Sequence, residues 1–530
     1  MHVKNGALPA LALVLLFPAE FVGFERRHRD EGVSGRGTPP MYIVVVATEC
    51  APAAKVGGLG DVVFGLGREL EIRGNSVEII LPKYDCMRYD QIYGLQVTYQ
   101  DLWVPWYDRS IHCTVHFGFV HGRKCYFIEP HSEHGFFNRG VFYGNPDDDQ
   151  RFAFFCRAAL EFMWKSGKHP EIIHCHDWQT GLVPVLLYEI YKQMGMTHPR
   201  VCYTLHNLFH QGVTREHILR ATGLNRHAYF FHQDRLQDNF NPAALNLMKG
   251  GIVYSNFVTT VSPRYAWEIM HTDQSHGLGH TLNVHRGKVG GILNGVDYDV
   301  WNPEIDRHIA RRYGADSIDG KFENKRALRE RFWLQSAFKP IVCFVGRLDN
   351  QKGVPLITHA IPFCLANGCQ FVLLGAGADN RVTGHFAALK RQYNDNPDCH
   401  LEIGYDEELS HLIYAGSEMI LVPSLFEPCG LTQLIGLRYG TVPVVRATGG
   451  LADTVFDANY AQRPYNERNG YVFNDFNAQG LESALHRAIG MWYAYPEHFR
   501  ELAVNGMRYD YSWNHPAGHY LDIYEYIRDK

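Results

Sequence analysis

The sequence predicts an α/β protein of two domains, each a parallel sheet covered on both faces by helices. Three observations carry this expectation. Short β-branched apolar runs, such as residues 41–47 (MYIVVVA) and 340–345 (PIVCFV), alternate with stretches of helical periodicity, as buried parallel strands and their crossover helices do. Nearly the same glycine turn occurs twice, KVGGLGDVV at residues 55–63 and TGGLADTV at 448–455, each between an apolar strand and a helix. The chain has 530 residues, 46% of them hydrophobic, while single domains run to roughly 100–250 residues, so two or three are implied. Two Rossmann-like domains facing one ligand across a cleft satisfy all three.

Bulk properties exclude several partners. A formal charge of -5 with 20% charged residues gives no basic field for a nucleic acid. Twelve cysteines are scattered singly through apolar runs, without zinc-ribbon or secreted-scaffold spacing, so reduced, mostly buried thiols and a cytoplasmic setting are expected. Residues 7–17 (ALPALALVLLF) follow Lys4 in the outline of a secretory signal, too short to span a bilayer, and residues 26–40 are polar and rich in glycine and proline. Residues 1–40 therefore read as a mis-assigned leader ahead of a start at Met41, as a targeting peptide (a plastid transit peptide among the options), or as an ordered segment. The remaining division is 41–300, 301–505 and a C-terminal helix in 506–530.

In the first domain, the strand at 41–47 leads into Lys55, Gly57, Gly58 and Asp61, then a helix with Leu59, Val62, Val63, Leu66 and Leu70 on one face, then the strand VEIIL at 77–81. The third glycine of a dinucleotide fingerprint is missing, as is a Walker Gly-Lys-Ser/Thr. The glycines either permit a tight turn or let a ligand approach Lys55. Residues 84–166 read as short strands and loops ending in a helix from Asp149, with Tyr143 on an exposed aromatic loop. Asp147-Asp148-Asp149 and Asp297-Tyr298-Asp299 match the acidic pattern of metal-dependent sugar transferases but read as a helix start and a turn. The strand EIIHCH delivers Asp177 and Trp178, and RVCYTL delivers His206 and Asn207, at the carboxyl ends where α/β folds place their chemistry. No metal is expected, since Cys175 points opposite to His174 and His176. GILNGV, at 291–296, reads as a last strand with Asn294 in its turn.

The second domain opens after a charged helical stretch at 306–334. Arg347 and Lys352 follow its first strand as a diphosphate clamp. At residues 421–440 (LVPSLFEPCGLTQLIGLRYG) a strand enters a turn holding the lone carboxylate Glu427. With Pro428 early in a helix, Cys429, Gly430, Leu431 and Thr432 would offer N–H groups to a phosphate. The ligand so described is a nucleoside diphosphate sugar.

Together KVGGLGDV, HCHDWQTGL, YTLHN, ILNGVD, VGRLDNQKG, VPSLFEPCGLTQ and TGGLADTV resemble, in order, the motifs of the bacterial glycogen synthase and plant starch synthase family, from about Met41 to the C-terminus. The resemblance implies a GT-B fold of the glycogen phosphorylase-like type. It also implies transfer of glucose from ADP-glucose or UDP-glucose to the 4-hydroxyl of an α-1,4-glucan, with retention and without metal or other cofactor. Glu427 would hold donor hydroxyls and support the oxocarbenium-like centre, with Arg347, Lys352 and Lys55 on the diphosphate. Asp177 and His206 would contact the transferred sugar and Tyr405 the base; Asp61, Tyr143, Trp178 and Asn294 fall on the acceptor side. Val56 and Leu425 depart from many bacterial relatives toward starch synthase classes III and IV. Rival readings are a transferase of the same fold with a small acceptor, and a non-catalytic or initiating glucan-binding scaffold.

Overall fold

The computed structural model describes residues 39–377 and 379–530; most of the expected leader, residues 1–38, lies outside them. The chain divides into two units, one ending at Gly295 and rejoined by Trp513–Lys530, the other Val296–Ser512. The second unit thus begins at Val296 rather than Trp301, and the C-terminal return starts later than residue 506. None of the described helices is long and apolar enough to cross a membrane.

The first unit is built on a nine-stranded sheet in the order β11-β10-β7-β6-β1-β2-β5-β4-β3. Its strands are β1 (Tyr42–Val46), β2 (Ser76–Pro82), β3 (Ile92–Trp106), β4 (Arg109–Val120), β5 (Arg123–Pro130), β6 (Ile172–His176), β7 (Arg200–Leu205), β10 (Phe257–Thr260) and β11 (Val289–Gly291); β8 (Val213–Thr214) and β9 (Leu245–Asn246) form a separate ribbon. From β11 to β5 the strands run parallel, and β4 is antiparallel to both β5 and β3. The short strands expected at LWVPW (102–106) and KCYFIE (124–129) lie in β3 and β5; β3 is longer than expected and pairs with an unexpected β4 in a long antiparallel hairpin at one edge. β3 and β4 each solvate one face, which breaks the continuous apolar signal of a buried strand. GILNGV is corrected too: pairing ends at Gly291, and Asn294 lies in the loop beyond.

The second unit carries a six-stranded, wholly parallel sheet in the order β14-β13-β12-β15-β16-β17. These are β12 (Ile341–Val345), β13 (Gln370–Gly375), β14 (Cys399–Ile403), β15 (Met419–Val422), β16 (Val442–Arg446) and β17 (Tyr471–Phe473). The helical entry is shorter than expected: Lys321–Phe332 is α-helix after a 3-10 turn. Residues 306–314 are irregular, because Asp306 is buried as the acceptor of His411 and Tyr439.

Both sheets share one geometric consequence. Strand order reverses beside β1, between β2 and β6, and beside β12, between β13 and β15. Loops leaving the carboxyl ends of neighbouring strands part in opposite directions there and open a crevice. The motifs that carry Lys55, Asp177, His206, Lys352 and Glu427 follow β1, β6, β7, β12 and β15, whereas Asn294 follows β11 and the second glycine motif follows β16.

Candidate active site

The candidate residues of the first unit are organised by one that no local sequence pattern singles out. Glu49, 4% exposed just past β1, accepts the Val56 N–H (2.7 Å) and Gly57 N–H (3.0 Å) on Oε2 and the Tyr143 hydroxyl (2.7 Å) on Oε1. Burial raises its pKa, against the pull of those donors. One carboxylate thus shapes the whole glycine loop. Tyr143 is corrected from an exposed stacking platform to a half-buried tether, its ring against Phe152 and its hydroxyl also 2.8 Å from Thr48. Gly57 is extended (φ -150°) with open space where a Cβ would stand, so the fold itself does not require glycine there. Lys55 Nζ pairs with Asp61 Oδ1 at 2.9 Å, joining two residues expected on different substrates.

Asp177 and His206, at the ends of β6 and β7, are brought together. Asp177 sits at φ 55°, a strained conformation for a non-glycine residue, and Oδ1 accepts the main-chain N–H of His206 at 2.7 Å and Asn207 at 3.4 Å. Desolvation pushes its carboxyl up to about 7. His206 Nε2 lies 3.0 Å from His176 Nδ1, and burial lowers the His206 imidazole to about 3. Trp178 packs edge-on to Phe152 and over Gly212, where a Cβ would stand 2.3 Å from its ring. Asn294 is buried with its Oδ1 unpartnered.

In the second unit Glu427, 5% exposed, accepts from Lys352 Nζ at 2.6 Å and Ser424 Oγ at 2.9 Å, both on Oε2. Two close backbone approaches build this geometry. Gly353 (φ 82°) lies where a Cβ would be 2.2 Å from the Pro423 carbonyl, which presses the Lys352 loop onto the turn after β15. Gly450, in the second glycine motif, donates its N–H to the Glu427 carbonyl at 3.1 Å, and a Cβ there would meet the Cys429 carbonyl at 2.1 Å. The two motifs read separately in sequence form one braced turn.

The expected phosphate seat shifts. The helix is Thr432–Arg438, so Pro428 lies outside it and Cys429, Gly430 and Leu431 belong to the turn. Left-handed Gly430 (φ 73°) interrupts the helix, and the Gln433 amide donates to the Cys429 and Gly430 carbonyls. Arg347 reaches Asp349 at 3.2 Å and is largely exposed, while Asp349 Oδ1 accepts the Lys352 N–H at 2.9 Å. Tyr405 is 75% exposed beside a cavity of about 310 Å³ whose lining includes Arg331, Leu374 and Glu402.

The acidic runs serve structure: Asp147 pairs with Arg139, Asp148 with the fully buried Arg151 at 2.7 Å, and Asp149 accepts the Thr214 hydroxyl at 2.5 Å. Asp297 accepts the Asp299 N–H at 2.9 Å. Among the described residues no cluster of three His, Cys, Asp or Glu is placed to hold a metal. The cysteines are free thiols, and all but Cys86 are buried.

Two doubly wound units, each with its polar side chains at the switch point of its sheet, define a GT-B glycosyltransferase. Residues 42–284 match the starch synthase catalytic domain family and residues 330–503 match glycosyl transferases group 1. A glycogen synthase 2 of Methylococcus capsulatus is 68% identical over 92% of this chain and all of its own length, and a glycogen synthase 1 of Nitrosococcus oceani is 66% identical over the same shares. The catalytic domain of Arabidopsis thaliana starch synthase IV, bound to ADP and acarbose, superposes with a TM-score of 0.90 at 43% identity, covering 93% of this chain and 100% of its own. The chain belongs to the glycogen synthase and starch synthase family of glycosyltransferases.

Proposed function

We propose that this enzyme extends an α-1,4-glucan by transferring glucose, with retention, from ADP-glucose or UDP-glucose to the non-reducing end. The observation that carries the reading is the Lys352–Glu427 pair at the switch point of the second sheet, braced by the Gly450 contact. Departure of the nucleoside diphosphate develops negative charge that Arg347, Lys352, Lys55 and the N–H groups around Thr432 stabilise without metal or other cofactor. Glu427 binds donor-sugar hydroxyls and faces the oxocarbenium-like centre. Asp177 and His206 hold the transferred sugar, and Tyr405 stacks on the base above the neighbouring cavity. Asp61, Tyr143, Trp178 and Asn294 serve the acceptor, Tyr143 through Glu49 and the glycine loop. ADP in the Arabidopsis starch synthase IV structure favours the adenine donor. The setting is cytoplasmic, or the plastid stroma if residues 1–40 are a transit peptide.

The test is incubation with ADP-glucose or UDP-glucose, each with and without glycogen or maltooligosaccharide, monitoring nucleoside diphosphate release and chain length together. Glucan-dependent release with lengthened chains is expected, faster with ADP-glucose. Release without extension would transfer the reading to a small acceptor. Silence with both donors, with glucan still bound, would leave a scaffold.

A further inference from the structure

The proposed transfer chemistry leaves His174 and His176 unused, although both are fully buried. They lie on one face of β6, and His176 is in register with Thr204 of β7. His174 Nδ1 is 2.8 Å from the hydroxyl of Tyr524, on the C-terminal helix Asn514–Arg528, and His174 Nε2 is 2.7 Å from Thr204 Oγ1. The His176 ring lies 4.2 Å from that of His174, and its Nδ1 is 3.0 Å from His206 Nε2. An unbroken file of side chains therefore joins the C-terminal helix to the loop that carries His206.

Burial sets the protonation of this file. Desolvation holds His174 and His206 down at about 3 and His176 well below its ordinary value, so all three rings are neutral near pH 7. A single proton then lies between His176 Nδ1 and His206 Nε2. The remaining nitrogen of His176, Nε2, is buried without a partner. A proton there would be an orphaned donor, which interiors tolerate less readily than a bare acceptor. The proton of His176 consequently sits on Nδ1 and is donated to His206 Nε2, leaving His206 protonated on Nδ1. His206 is held twice by consecutive residues, through its ring by His176 and through its main-chain N–H by Asp177.

We infer that His176 is a positioning residue for glucosyl transfer: its Nδ1–H fixes His206 as the Nδ1–H tautomer, a hydrogen-bond donor rather than a base toward the transferred sugar, with His174 and Tyr524 supporting the pair. This rests on the reading that His206 faces that sugar. His176→Phe keeps a buried ring and removes the N–H, while His176→Asn offers an amide N–H near the δ position. Loss of an oriented group costs about 10- to 100-fold in kcat with donor KM within about threefold, and this is expected of His176→Phe at unchanged Tm, with His176→Asn restoring most of the rate. Parental kcat in His176→Phe, or an equal loss in His176→Asn, overturns the inference. Tyr524→Phe decides if His176→Phe does not fold: a lower kcat at constant donor KM supports the file of contacts, and a parental kcat overturns it. His206→Ala is assayed alongside. If it is as fast as the parent, the placement of His206 itself fails; if it is slow while His176→Phe is normal, only the positioning role of His176 fails.

Discussion

Lys352→Met tests whether the Lys352–Glu427 pair serves structure as well as catalysis. The charges are 2.6 Å apart, with side-chain exposures of 17% for Lys352 and 6% for Glu427. At an effective dielectric of about 20 their gross attraction is about 6 kcal/mol. Desolvation offsets much of that in the intact pair, but removing one partner strands the other charge at a cost of about 3–5 kcal/mol. The cost is unequal in the two directions. Glu427, the more buried partner, would retain only the Ser424 hydroxyl at 2.9 Å, whereas Lys352 left by Glu427→Gln can swing toward solvent. Lys352→Met is the costlier change, yet because the Ser424 hydroxyl still bonds Glu427 it is expected at the lower end of the range, about 3 kcal/mol, which at 2–4 °C per kcal/mol for a unit of this size lowers Tm by about 6–12 °C. Glu427→Gln should lower Tm by less than half as much. The double variant leaves no buried charge and should recover most of the lost stability while remaining inactive. Differential scanning fluorimetry, with nucleoside diphosphate release on the same samples, reads both quantities. A Lys352→Met protein as stable as the parent, or a double variant no more stable than Lys352→Met, would refute the reasoning.

Two glycines should separate folding from ligand approach. Gly450→Ala drives a Cβ into the Cys429 carbonyl and should displace the Glu427 turn, lowering kcat about 100-fold together with Tm. Gly57→Ala meets open space and should leave Tm unchanged while raising donor KM, measured by initial rates. For Asp177 the folded carboxyl lies at about 7 against an ordinary 3.8. The folded state holds the proton more tightly, so stability referable to this group is complete below about pH 4 and declines as pH rises through 7. Asp177→Asn should remove that slope, gaining Tm relative to the parent at pH 8 and not at pH 4, in melts across that range.

How much the sequence disclosed depended on the type of contact. Strands of a parallel sheet buried on both faces are continuous apolar runs, and the residues after β1, β6, β7, β12 and β15 inherit a position from the topology. Lys55, Asp177, His206, Lys352 and Glu427 are accordingly picked out as candidates from the polar residues in the loops past the end of each run. The β3–β4 hairpin has no such signature: alternation and a wet edge leave only LWVPW at 102–106 legible as a strand, with the rest of residues 92–120 reading as loop. Pro428 carried the correct local preference for a helix start, yet left-handed Gly430 and the Gln433 amide turned the chain before the helix began.

The contacts that brace the candidate residues within each unit are harder still to read, because most of them join segments distant in sequence. Glu49 grips a loop seven residues on and Tyr143 from another element. Gly450 looks like a second phosphate turn until its N–H is found on the Glu427 carbonyl. Tyr524 reaches His174 across 350 positions of chain. The residues expected to touch substrate are thus marked by local pattern, whereas those that hold them still are marked only by tertiary geometry. That difference assigns them different tests. A residue that touches substrate should respond to which donor or glucan is offered, and a brace such as Glu49, Gly450 or His176 should lower the rate by a similar factor with every donor and glucan.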